Sequence, residues 1–238
     1  MLGGAVLYVA ENAEDRWLWR GDEYQKLNQM RAGFDLSYFE SQLGTPTVTR
    51  SRRGYQESAF KGRDFWVQTV SRGEAVLLYA VTACEDSFHP VFRPFGTDFR
   101  VELNRSRLTD IGDSSGDFAF DYFVGATAPT LFYEGIYTGF SGYYKTFLWG
   151  WNSICFEQGD EFTAPPEGSA PRGRTSKLEP GLKKFREATL VNTYGETAPL
   201  IFPEGSGKDA LAAVSPVNLH IMHGFYVGPS RVSLQPDS

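Results

Sequence analysis

Residues 118 to 156 limit the folds open to this chain more than any other stretch. The run holds fourteen aromatic residues: Phe118, Phe120, Tyr122, Phe123, Phe132, Tyr133, Tyr137, Phe140, Tyr143, Tyr144, Phe147, Trp149, Trp151 and Phe156. It holds three charges, Asp121, Glu134 and Lys145. Aromatic side chains favour a pleated, half-buried surface, and Gly125, Pro129, Gly139 and Gly142 break the run into strand-sized pieces. Strands are expected over 119–125, 130–138 and 143–155, the last two forming a hairpin across Gly139 to Gly142. This stretch is expected at the centre of a sheet that the rest of the chain covers or extends.

Helices are expected before it. Tyr24, Leu27 and Met30 recur at three-residue spacing between Gly21 and Ala32, and Gly33 ends the pattern. Asp35 then offers an N-cap, Leu36, Phe39 and Leu43 an apolar stripe, and Gly44 with Pro46 a stop. Residues 45–59 read as polar and irregular. Phe65 to Val70 and Ala75 to Cys84 read as a hairpin of buried strands around Gly73, and Asp98 to Asn104 alternates as a half-exposed strand. Residues 159–180 carry four prolines and mixed charge and read as a long disordered loop. Phe185 to Thr193 resumes as strand or short helix, residues 208–214 read as a helix, and 217–227 as a final strand.

The expected fold class is α+β: two short N-terminal helices packed on a large, mainly antiparallel sheet. Residues 1–20 form a membrane-anchor remnant or an edge segment, 21–228 a single domain, and 229–238 a flexible tail.

Charge narrows function. With a net charge of −6 the chain lacks the concentrated basic surface that phosphate backbones require, so nucleic acid is excluded as a partner. The basic cluster Arg50, Arg52 and Arg53 is short and reads as a solvated loop.

No motif carries a reaction. Gly205-Ser206-Gly207-Lys208 suggests a phosphate loop, but Phe202 stands where a glycine is required and Asp209 where a hydroxyl is required. His220 and His223 point to opposite faces if they lie on a strand. No metal ligand set and no cofactor motif emerges. Asp110, Asp113, Asp117 and Asp121 crowd a loop without the alternating register of a calcium site, and an acidic solvated hairpin is the simpler reading. Glu134 shares a strand face with Phe132 and Ile136. Buried there, its pKa would rise unless an Arg or Lys meets it, making it the one candidate acid or base. A solvent face or a structural ion pair is the competing reading. Cys84 and Cys155 each close an apolar run; two buried free thiols are preferred over a disulfide.

The functional expectation is a non-catalytic binding or sensing domain for an unknown ligand or protein partner. Tyr133, Tyr137, Tyr143, Tyr144 and Trp149 are its candidate contact residues, because such side chains suit recognition surfaces. Two alternatives stay open: an enzyme using Glu134 or the cluster from Asp110 to Asp121, and a structural envelope component. Residues 1–10 are apolar but too short to span a bilayer, and Trp17 and Trp19 follow at the spacing of an interfacial belt. Membrane association through a truncated N-terminal helix, with the domain on the extracytoplasmic side, is therefore expected; a cytoplasmic protein with an N-terminal edge strand is the alternative.

Two local patterns resemble known ones. Phe39-Glu40-Ser41-Gln42-Leu43-Gly44-Thr45-Pro46 resembles the Leu-Gly-x-Pro helix ending of small bacterial envelope domains. In those, as in outer-membrane assembly lipoproteins and β-lactamase-inhibitor proteins, two short helices precede an antiparallel sheet. Residues 38–46, the aromatic middle and Val191-Asn192-Thr193-Tyr194-Gly195 are similar to uncharacterised bacterial membrane-anchored domains. The resemblance implies a preceding membrane helix, most of which this chain lacks, and it supplies no activity and no catalytic residue.

Overall fold

The structure, a computed structural model, describes residues 19–52, 54–112, 118–123, 131–140, 143–155, 172–198 and 228. Three α-helices accompany a sheet-dominated α+β fold. Helix α1 covers residues 19–29, beginning earlier than Gly21. Helix α2, Leu36–Leu43, ends on Gly44 at φ 82°, a conformation that glycine adopts without a steric penalty. Helix α3, Pro180–Ala188, carries its proline in the first turn, where no backbone N–H is missed.

The strands are β1 (Val48–Arg52), β2 (Tyr55–Lys61), β3 (Phe65–Arg72), β4 (Ala75–Ala83), β5 (Val91–Phe92), β6 (Val101–Glu102), β7 (Ala119–Phe123), β8 (Leu131–Phe140), β9 (Tyr143–Asn152), β10 (Arg172–Arg174) and β11 (Thr193–Thr197). Nine form one antiparallel sheet in the order β1-β2-β3-β4-β11-β9-β8-β7-β10, and β5 pairs with β6 separately.

The centre of the sheet is β11, not the aromatic run. Thr193 pairs with Thr82 of β4 on one side and Gly150 of β9 on the other. β11 thus joins the early β1–β4 meander to the aromatic β7–β9 meander.

Four further expectations are corrected. Residues 48–61, read as irregular, form the β1–β2 hairpin, because a polar edge strand needs one apolar-facing neighbour and no apolar pattern of its own. The strand expected over 98–104 shrinks to Val101–Glu102. Of the loop expected over 159–180, Arg172–Arg174 pairs with β7 and Thr175–Lys177 makes a 3-10 turn. The free thiols are a disulfide: Cys84 and Cys155 are bonded, with Cα atoms 5.0 Å apart. Their strands, β4 and β9, are the two neighbours of β11 and end on the same side of it, which brings the two cysteines together. Residues 1–10, Trp17, Asp113, Asp117, the loop over 159–171, Gly205 to Lys208, His220, His223 and the tail lie outside the described residues.

The main buried cluster joins Phe60, Val67, Tyr79, Val81, Phe132, Phe147 and Trp149 of the sheet to Leu27 and Met30 of α1, Phe39 of α2 and Phe185 of α3. The Phe39 and Tyr79 rings are 5.9 Å apart. A smaller cluster of Val70, Leu78, Ala80, Leu131, Tyr133 and Leu148 comes from the sheet alone.

Candidate functional site

Alternation along β8 and β9 decides the fate of the candidate residues. Glu134 falls on the same face as Phe132, Trp149 falls opposite it in register, and both are fully buried. Arg186 of α3 reaches in from 52 residues away. Its Nε donates to Glu134 Oε1, and its Nη2 donates to Oε2 at 3.0 Å. The Trp149 Nε1 donates to the same Oε2 at 3.4 Å. Burial pushes the Glu134 carboxyl above its ordinary range, and the Arg186 guanidinium and the indole N–H pull it partly back. Phe118, at 5.0 Å from the Trp149 ring, closes this part of the core. A carboxylate so held has no substrate-sized space beside it and serves as one half of a structural ion pair.

A second buried pair went unnoticed in the sequence. Lys145 of β9 donates from Nζ to Glu196 Oε1 of β11 at 2.7 Å and to the Ala32 carbonyl at 2.9 Å. The Ala32 N–H completes the triangle, donating to the same Glu196 oxygen at 3.0 Å. Burial raises the Glu196 pKa, and Lys145 opposes the rise. The pair ties the α1–α2 turn to the middle of the sheet. Its one visible sign in the sequence is that Lys145 shares the inward parity of Phe147 and Trp149.

The acidic cluster does not assemble. Asp110 caps a 3-10 turn by accepting the Arg107 N–H at 2.7 Å, whereas Asp121 lies on β7 in register with Arg172 of β10. Among the described residues no three of His, Cys, Asp and Glu surround a common point.

The candidate aromatics divide. Tyr133 and Trp149 are buried. Tyr137, Tyr143 and Tyr144 gather at the turn end of the β8–β9 hairpin, where the rings of Tyr137 and Tyr144 stack at 5.3 Å. The structure adds two residues that the sequence reading missed. The Phe95 ring meets Phe140 edge-on at 4.6 Å and lies 6.1 Å from Tyr143. Gly96 permits this approach: a Cβ there would touch Thr138 and Gly139, and its φ is +77°. Six large apolar side chains are exposed among the described residues: Phe34, Phe95, Phe140, Tyr143, Tyr144 and Leu190. The first five lie at one end of the strands. Phe34 belongs there because its carbonyl accepts the Val76 N–H at the start of β4. Phe140 is the most open, at 60% exposure.

Compared with protein-family models, with characterised proteins and with solved structures, the chain matches none. Among the described residues no helix is long and apolar enough to cross a membrane.

Proposed function

We propose that this chain is a non-catalytic binding domain of a membrane-associated protein, and that its contact surface is the aromatic end of the sheet. One observation carries the reading: five of the six exposed large apolar side chains sit together at that end. Soluble proteins rarely leave such a patch open without a partner, and aromatic side chains dominate the contacts that matter in interfaces. The two buried carboxylates are neutralised by Arg186 and Lys145, which removes the motive for an acid or base. We read the chain as one domain in which α1 and α2 cover one face of the sheet. The shared cluster of Leu27, Met30 and Phe39 with Val67 and Tyr79 supports this.

Membrane association rests on the apolar residues 1–10 and on Trp17 and Trp19. The Cys84–Cys155 bond supports an oxidising, extracytoplasmic compartment.

The test places a photo-crosslinking amino acid at Phe140, at Tyr144 and, as a control at the other end of the sheet, at Leu190 in producing cells. Adducts at the first two positions and none at the third are expected. Equal labelling at all three positions, or none at Phe140 and Tyr144, would refute the surface.

A further inference from the structure

A cleft of about 200 Å³ opens between α1 and the turn joining β2 to β3, at the end of the sheet away from the aromatic patch. Its apolar floor includes Phe60 and Phe65, and Trp19 lines one wall. A second hollow of about 370 Å³ continues past Trp19 along α1.

Three features of the cleft ask for the same kind of ligand. The Trp19 indole Nε1 is buried and has no acceptor. A buried donor without a partner is costly and rare enough to need an explanation. Two cations at the rim, Lys61 and Arg63, form no ion pair with a described residue. Lys61 lies over the Trp66 ring at 5.6 Å, and the Arg63 guanidinium over the Trp19 ring at 5.0 Å. The other charges nearby are already matched: Arg20 holds Asp64 at 3.1 Å, and Lys26 holds Glu23 at 2.8 Å. The rim is left with two positive charges in excess, above an apolar floor and beside an unused N–H.

We propose that this cleft binds a compact organic anion. Its carboxylate or phosphate oxygen accepts from the Trp19 indole, Lys61 and Arg63 balance its charge, and its apolar body rests on Phe60 and Phe65. The volume corresponds to about seven waters at ~30 Å³ each, which suits a single small ring or a headgroup. The same chemistry is offered by a free phosphate monoester and by the headgroup of an anionic lipid.

The experiment uses the full chain and follows the Trp19 indole N–H by nitrogen-15 NMR, with Trp19→Phe assigning the signal. Phenyl phosphate is titrated to millimolar concentration, with phenol as the uncharged control. Vesicles of phosphatidylglycerol are compared with vesicles of phosphatidylcholine by co-sedimentation. A saturable shift with phenyl phosphate and none with phenol is expected. It should weaken roughly tenfold in the Lys61→Gln, Arg63→Gln double variant, on the scale of a lost charged contact. Sedimentation with phosphatidylglycerol alone, reduced by the same double variant, would assign the ligand to a lipid; a shift without sedimentation would assign it to a free anion. An indole signal indifferent to phenyl phosphate together with no selective sedimentation would overturn the proposal. So would binding that the double variant leaves unchanged.

Discussion

Replacing Arg186 by Met would leave the Glu134 carboxylate buried with one long hydrogen bond, from the Trp149 indole at 3.4 Å. Two charge-assisted bonds from Arg186 disappear. At ~1.5–3 kcal/mol each, they set the loss at about 3–5 kcal/mol at neutral pH, the usual cost of breaking a buried pair from one side. The loss depends on pH, and its sign follows from the direction of the Glu134 shift. The folded-state pKa is raised by burial, so protonation favours the fold. That contribution is fully present below the ordinary glutamate range and is lost as pH rises through the raised value. Without Arg186 the pKa climbs further, so the deficit of Arg186→Met against the parent is small in acid and grows through that window. Urea unfolding at pH 4 and pH 8 measures it. With a slope of about 2 kcal/mol per molar, the midpoint should fall by about 2 M at pH 8 and by much less at pH 4. Adding Glu134→Gln should recover most of the loss at pH 8, because it removes the buried charge. A deficit under about 1 kcal/mol at pH 8, or one equal at both pH values, would show that Glu134 is not held as described.

Cys84→Ser opens a link across a sequence separation of 71 residues and should cost about 4 kcal/mol by chain entropy, read as a fall in Tm that reductant reproduces in the parent. Thiol titration of the native parent should find neither cysteine. In Gly62→Ala the new methyl would overlap the Phe65 ring, which stacks on Phe88 at 5.1 Å, so a loss of about 1–3 kcal/mol is expected in urea. Gly228 sits at φ +81°, where a Cβ would approach Asn152 Nδ2 to 2.7 Å and Thr82 Oγ1 to 2.8 Å, and its N–H donates to Gln68 Oε1 at 2.7 Å. Gly228→Ala should therefore cost about 2 kcal/mol, and the cost should shrink in a Gln68→Met background, where that contact is already gone; additive losses would sink this docking.

Local signals in the sequence reached as far as local causes did. Asp35, Leu36, Phe39 and Gly44 mark α2 to the residue, because caps and stripes act within one helix. The β3–β4 and β8–β9 hairpins are equally plain, since each strand is apolar and its partner is the next in line. The central position of β11 could not be read this way. Its sequence, Thr-Tyr-Gly-Glu-Thr, is polar for a buried strand. Its polar side chains are answered by distant partners: Thr193 by Thr82, and Glu196 by Lys145. The same holds for Glu134, whose partner Arg186 lies on a helix read as strand or short helix. The disulfide depended on β11 separating β4 from β9, a fact of strand order that no spacing between cysteines encodes. The aromatic patch was half legible: Tyr137, Tyr143 and Tyr144 came from the run itself, whereas Phe95 is carried in by a loop.

The two proposed surfaces lie at opposite ends of the strands, and this constrains how both can be used. Trp19 stands beside Gly62 and Phe65, level with Ala83 at the end of β4. Phe140 and Tyr143 lie beyond the other end of β11, on the side where β4 begins at Ala75. A strand of nine residues separates these ends by roughly 25–30 Å. α1 runs the same way, from Trp19 to the turn at Ala32 that Lys145 holds. One flat surface cannot meet both ends at once. If the Trp19 end faces a bilayer, as the apolar residues before it suggest, the aromatic end points away from that bilayer and meets its partner in the aqueous compartment. The two contacts are then independent. Sedimentation with phosphatidylglycerol should survive Phe140→Ser, and crosslinking from Tyr144 should survive the Lys61→Gln, Arg63→Gln double variant. Loss of both activities in either variant, with the fold intact by circular dichroism, would mean that a single partner wraps the domain and that the separation into two ends is wrong.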